Sequence, residues 1–131
     1  MKRVFLKSMA ASALLVSGLA QAQQPVEIVV DYPYAGIFKE VHEKIARDFT
    51  AKFPQYKVTF RAPTPGYEEA AQQSLRQAVT NQLPDVSYQG LNRQRVFVDR
   101  GIAVDMTPFI KGEKDWAKMG YDKALLSLGQ V

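Results

Sequence analysis

Val26-Glu27-Ile28-Val29-Val30-Asp31 is a β-branched run, nearly continuous in apolarity, and the chain changes period immediately after it. Such a run suits a strand buried on both faces in a parallel sheet. Over residues 36–53 the apolar positions Ile37, Val41, Ile45 and Phe49 recur four apart, with Lys39, Glu40, Glu43, Lys44, Arg47 and Asp48 between them. This pattern predicts an amphipathic helix with those four residues inward, ended by Pro54. Tyr56 to Arg61 alternates apolar and polar, which predicts a second strand with one wetter face at a sheet edge. Strand, helix, strand in this order demands a parallel pairing, because a helix-length crossover separates the two strands.

The alternation continues. Pro63-Thr64-Pro65-Gly66 is a turn cluster, and Tyr67 to Gln82 is helical by pattern, with Ala71, Leu75, Ala78 and Val79 on one face. Pro84 closes it, and Asp85-Val86-Ser87-Tyr88 is a short third strand. Gln89 to Asn92 forms a turn. Arg93 to Arg100 suits a short helix with Val96 and Phe97 inward and Gly101 as its C-cap. Ile102 to Val104 is a brief extended piece, Asp105 to Pro108 a helix entry with Phe109 and Ile110 packing down, and Asp115 to Leu128 a helical tail through Trp116, Met119, Ala124 and Leu125. The fold class is α/β, a parallel sheet with helices on both faces.

The first 22 residues stand apart. Met1-Lys2-Arg3 and Lys7 precede an apolar stretch from Met9 to Leu19 that holds no acid or base, and Ala20-Gln21-Ala22 follows. These are the charged, apolar and small-x-small parts of a secretory signal; the stretch is well short of the roughly 20 residues of a spanning helix. Residues 1–22 are therefore expected to be removed. Without Lys2, Arg3 and Lys7 the chain carries 14 basic against 13 acidic side chains, so its basic pI is no nucleic-acid footprint. Cysteine is absent, which excludes disulfides, thiol catalysis and thiolate metal sites, and supplies no lipid attachment point. A soluble protein free in a bacterial periplasm is the expectation.

Ligands of open parallel sheets bind beyond the carboxyl ends of the strands. That rule selects Asp31 to Gly36, Ala62 to Tyr67, and Gln89 to Arg93. Tyr32, Tyr34 and Tyr67 offer flat apolar faces and hydroxyls, and Gln89 and Asn92 offer donors and acceptors, a set suited to a neutral polyhydroxylated solute. Tyr32 and Tyr34 equally suit a plug between helix and sheet, and Gly66 and Gly90 equally suit turns. Arg61, Arg93 and the helix N-termini keep an anionic solute open. Enzyme motifs are missing: there is no G-x-S-x-G elbow, P-loop or H-E-x-x-H. The single histidine, His42, reads as a solvated or half-buried helix residue. Glu68-Glu69 reads as an acidic first turn, and Asp31 stands where a phosphoacceptor aspartate would, a role at odds with export.

Four segments carry a family resemblance. They are Phe49-Thr50-Ala51-Lys52-Phe53-Pro54-Gln55-Tyr56-Lys57-Val58, Pro65-Gly66-Tyr67-Glu68-Glu69, Asn81-Gln82-Leu83-Pro84-Asp85-Val86, and Phe97 through Pro108. In this order and spacing the chain resembles the extracellular solute-binding proteins of ABC importers, with closest likeness to the carbohydrate-binding branch. It departs from the pattern at Asn81 or Gln82, where glycine is usual, and at Val104-Asp105-Met106, which replaces the usual Pro-Leu. The resemblance implies a periplasmic-binding-protein-like lobe. Residues 23–131 would be the N-terminal part of the first of two lobes, in a longer monomeric protein that captures a sugar or sugar-like solute for a membrane ABC permease. It places Tyr32 and Tyr34, Tyr67, and Gln89 with Asn92 at the three ligand-facing loops, and implies no catalysis, cofactor or metal. The rival readings are an exported small α/β enzyme such as a hydrolase, and a binding protein that presents its ligand to a chemoreceptor.

Overall fold

In a computed structural model the described residues are 24–131, so the expected signal segment, residues 1–22, lies outside them. Strand β1 (Val26–Asp31) is central in an all-parallel sheet of order β2-β1-β3, with β2 at Tyr56–Phe60 and β3 at Val86–Ser87. Val26 to Val30 pair with Tyr56 to Phe60, and Val30 and Asp31 pair with Val86 and Ser87. The edge position expected for the second strand is observed. Asp85 locks the short third strand to the first twice, its backbone N–H donating to the Val29 carbonyl at 2.9 Å while its carboxylate accepts from the Val29 N–H at 2.7 Å.

Helix α1 (Ala35–Lys52) joins β1 to β2, and α2 (Tyr67–Val79) joins β2 to β3. The chain steps from β1 to β2 and then back across β1 to β3. Right-handed crossovers in opposite directions put the two helices on opposite faces. The register fixes which residues each face carries. Ile28, Val30 and Tyr32 alternate with Glu27, Val29 and Asp31, and α1 lies over the first set together with Val58 and Phe60. On the other face Ser74 of α2 accepts a hydrogen bond from Gln89.

Both long helices are rotated from their expected orientation. Ile37 is 71% exposed, Val41 and Ile45 are also exposed, and the covered face of α1 runs through Phe38, His42, Ala46 and Phe49. Each fourth residue overshoots one turn by about 40°, so a strict four-residue run drifts off a single face; the covered set mixes three- and four-residue steps. On α2 the buried residues are Ala70, Ala71 and Ser74, while Val79 is 85% exposed. Small residues there let the helix sit close on the polar face of the sheet. Beside α1 an apolar hollow of about 210 Å³ is lined by Ile28, Val30, Ile45, Phe49, Val58 and Val86 among others.

After β3 the elements are short. A 3-10 turn (Leu91–Arg93) leads into α3 (Gln94–Asp99), followed by α4 (Thr107–Gly112), a second 3-10 turn (Trp116–Lys118) and α5 (Lys123–Ser127). Phe97 is buried as expected, and Gly101, at φ 65°, closes α3 with its N–H on the Val98 carbonyl. Residues 102–104 form no strand, and the expected tail helix is broken into a turn and α5. Phe109, Met119 and Leu125 are exposed rather than packed down. Gln94 reaches across to the Gly129 carbonyl at 2.6 Å, and Trp116 stacks on Tyr121. At the entry to α4, Asp105 accepts from Thr107, whose hydrogen bonds hold its carboxyl below the usual range. No helix among the described residues is long and apolar enough to cross a membrane.

Candidate functional site

In a sheet of order 2-1-3 the topological switch point lies between the carboxyl ends of β1 and β3. The chain leaves β1 through Tyr32, Pro33 and Tyr34. Pro33 is fully buried and bridges to Thr64, and the Tyr34 N–H donates to the Thr64 carbonyl at 3.1 Å, so the first and second loops are tied together. Tyr34 has left-handed backbone, φ 55° and ψ 58°, and its carbonyl accepts the N–H groups of Ile37 and Phe38 to start α1. A bulky residue in that conformation is uncommon. Here it turns the ring back over the second loop.

The Tyr34 ring meets Tyr67, the first residue of α2, edge to face at 5.2 Å between centroids. Gly66 permits this: a Cβ there would stand 3.1 Å from the Tyr34 hydroxyl oxygen. Gly90 plays the same part in the third loop, where a Cβ would lie 2.7 Å from Asn92 Oδ1 and 3.3 Å from Tyr67 Cβ. Arg93, one residue further on, pairs with Glu68, the residue after Tyr67. Tyr34, Tyr67 and Asn92 thus come together across three loops. Tyr34 and Asn92 are exposed and Tyr67 is half-buried, a polar and aromatic rim open to solvent.

The other two residues singled out in the sequence take different positions. The Tyr32 ring, 4% exposed, faces the core under α1 and packs edge-on against His42 at 4.7 Å and Phe60 at 5.5 Å. It is the plug between helix and sheet. Gln89 is half-buried against α2, its Nε2 donating to Ser74 Oγ at 3.0 Å and to Ser87 Oγ at 2.7 Å. Comparison with known proteins adds no relative. No family model, curated protein or solved structure matches this chain.

His42 corrects the reading of a solvated helix residue. It is 8% exposed and stacks on Tyr88 at 4.3 Å, with Phe38 and Phe60 on parallel planes further off. Its Nδ1 is buried with no hydrogen-bond partner. Burial disfavours the charged imidazolium and lowers its pKa. No carboxylate or hydroxyl bonds to the ring, so nothing orients it as a general base. Among the described residues no group of three or more His, Cys, Asp and Glu side chains could hold a metal ion.

The cations near the rim are engaged. Arg61 donates to the Gln82 carbonyl at 2.9 Å and stands 3.7 Å from Asp31 Oδ2, and Arg93 is held by Glu68. Arg93 Nε is nonetheless buried without a hydrogen-bond partner. Asp31 is the residue that the sequence reading underweighted. It ends the central strand, its side chain is 12% exposed, and both carboxylate oxygens are buried without a hydrogen-bond partner. The available signal was its position: strand alternation from Val29 sends Asp31 to the α2 face, the same face as Gln89.

Proposed function

We propose that the chain is part of a periplasmic substrate-binding protein that captures a small polyhydroxylated solute and delivers it to a membrane ABC permease, without covalent chemistry. The observation that carries this reading is the rim at the switch point, where Tyr34, Tyr67 and Asn92 converge from three separate loops with ring faces and an amide open to solvent. Aromatic faces cover the C–H surfaces of a sugar, and amides match its hydroxyls. A one-lobe rim forms only one wall. In the resembling family a second lobe closes over the ligand as a hinge, and the uncovered hollow beside α1 and the short β3 at the sheet edge leave room for further elements of such a lobe. His42, enclosed by aromatic rings and lacking an orienting partner, supports binding rather than catalysis.

A thermal-shift screen of the intact gene product against sugars, polyols, polyamines and phosphate esters tests the reading. Stabilisation by a sugar or polyol, reduced in Tyr67→Ala, is the expected result. No response to any sugar overturns the carbohydrate assignment. Permease and ATPase genes beside this one distinguish delivery to an importer from presentation to a chemoreceptor.

A further inference from the structure

Next to the tyrosine rim, between the carboxyl end of β1 and the start of α2, lies a pit of about 10 Å³ lined by Asp31, Thr64, Ala70, Gln73 and Gln89 among others. That is room for about one water-sized group. Three oxygens of its lining residues are buried without a hydrogen-bond partner: Oδ1 and Oδ2 of Asp31 and Oε1 of Gln89. The nearby donors are committed elsewhere. Arg61 Nη1 is 3.7 Å from Asp31 Oδ2, beyond hydrogen-bond range, and donates to the Gln82 carbonyl. Gln89 Nε2 is taken by Ser74 and Ser87, and the Thr64 hydroxyl donates to the Gly66 carbonyl at 3.2 Å.

A buried carboxylate that accepts no hydrogen bond and has its one cation, Arg61, held off at 3.7 Å is costly, so the pit favours whatever brings donors to it. A hydroxyl brings one donor and a water two; a primary ammonium brings three, with a positive charge at hydrogen-bond distance, nearer than the Arg61 guanidinium. Ca²⁺ and Mg²⁺ take six or more oxygen ligands, at least twice what these three acceptors supply. We propose that the pit anchors a primary ammonium group, with the two Asp31 oxygens and Gln89 Oε1 as its acceptors. The solute presented at the neighbouring rim is then an aminated polyhydroxylated compound, such as an amino sugar, rather than a neutral one. That last step rests on the binding-protein reading; the pit's selectivity for an ammonium does not.

The test is an NMR titration of the ¹⁵N-labelled full chain with methylammonium chloride, reading the Gln89 side-chain amide and the Asp31 and Tyr32 backbone amides. Saturable shifts with a dissociation constant on the order of 10 mM are expected, since a lone head group gains little beyond its own hydrogen bonds. Tetramethylammonium chloride, which is too large and has no N–H, and sodium chloride should give no saturating shift. Asp31→Asn should weaken methylammonium binding at least tenfold while keeping a folded spectrum; if that variant unfolds, the comparison of the two ammonium salts on the unaltered chain decides. Equal responses to methylammonium, tetramethylammonium and sodium would overturn the assignment, as would a folded Asp31→Asn variant that binds like the parent. On the intact gene product, stabilisation by glucose equal to that by glucosamine removes the amine preference and leaves the binding-protein reading standing. Saturable methylammonium binding with no response to any solute does the reverse.

Discussion

His42→Phe is expected to stabilise the protein, and more so in acid. The wild-type ring is enclosed by Tyr32, Phe38, Phe60 and Tyr88, and its Nδ1 is buried without a partner. A buried polar atom left unsatisfied costs about 1–3 kcal/mol. Phenylalanine keeps the flat ring and its contacts and removes that atom. The slightly larger ring normally carries an overpacking penalty, but His42 borders the 210 Å³ hollow, so the added carbon has space to enter. A net gain of about 1 kcal/mol follows at pH 7.5, which for a domain of this size raises Tm by about 4–8 °C. The pH dependence has a definite sign. Burial lowers the folded-state pKa of His42, so near and below the ordinary imidazole range the unfolded chain binds more protons than the folded one, and wild-type stability falls as pH drops. Cation–π attraction from the four rings opposes this, but desolvation dominates. Phenylalanine does not titrate, so the gap between variant and wild type must widen from pH 7.5 to pH 5.5. Urea unfolding at both pH values, followed by circular dichroism with m-values compared, measures it. A variant less stable than wild type at pH 7.5, or a gap that stays constant or shrinks in acid, would refute the reasoning.

Other substitutions probe separate parts of the fold and the rim. Tyr32→Ala should cost about 3–5 kcal/mol in urea unfolding, as for other large buried aromatics, whereas Tyr34→Ala, whose ring lies over the second loop at the surface, should cost far less. Asn81 follows α2 with φ 54°, a conformation that costs non-glycine residues other than Asn and Asp about 1–2 kcal/mol; Asn81→Ala should lose stability in that range, and Asn81→Gly should not. Gly90→Ala drives a methyl group to 2.7 Å from Asn92 Oδ1 and 3.3 Å from Tyr67 Cβ, so a loss of about 1–3 kcal/mol should accompany amide-shift changes at Asn92 and Tyr67. The isolated 131-residue chain, which offers a ligand one wall, should bind sugars weakly, and micromolar affinity by calorimetry would contradict the two-lobe reading.

What the sequence made legible depends on which residue types carried the signal. The bounds of β1, α1 and β2 follow from a change of period and from Pro54, cues that act locally and that tertiary packing does not override. Asn81 shows the same economy: after α2 it adopts the left-handed backbone that glycine takes most readily and that Asn tolerates better than most residues. Helix faces were less legible, because a list of aliphatic residues treats His42 as polar. Its ring behaves as an aromatic core residue, and counting it with Phe38, Ala46 and Phe49 gives the covered face of α1. After β3 the apolar residues Phe109, Met119 and Leu125 have no opposing face among the described residues, so their helical spacing says nothing about burial.

The candidate site divides along the same line. The rule that ligands sit at the carboxyl ends of the strands brought forward three loops that do meet at one rim, but a rule about loops does not say which way each side chain points. Strand parity does. Counting by twos from Ile28 through Val30 reaches Tyr32 and sends its ring under α1; counting from Val29 reaches Asp31 and sends it toward α2. Pairing of Asp31 with Ser87 carries that face across to Gln89, two residues further along. The parity that removes Tyr32 from the rim therefore sets Asp31 and Gln89 side by side at its base, and it changes the chemistry offered there. In place of a third aromatic face, the site gains a buried carboxylate whose oxygens await a donor.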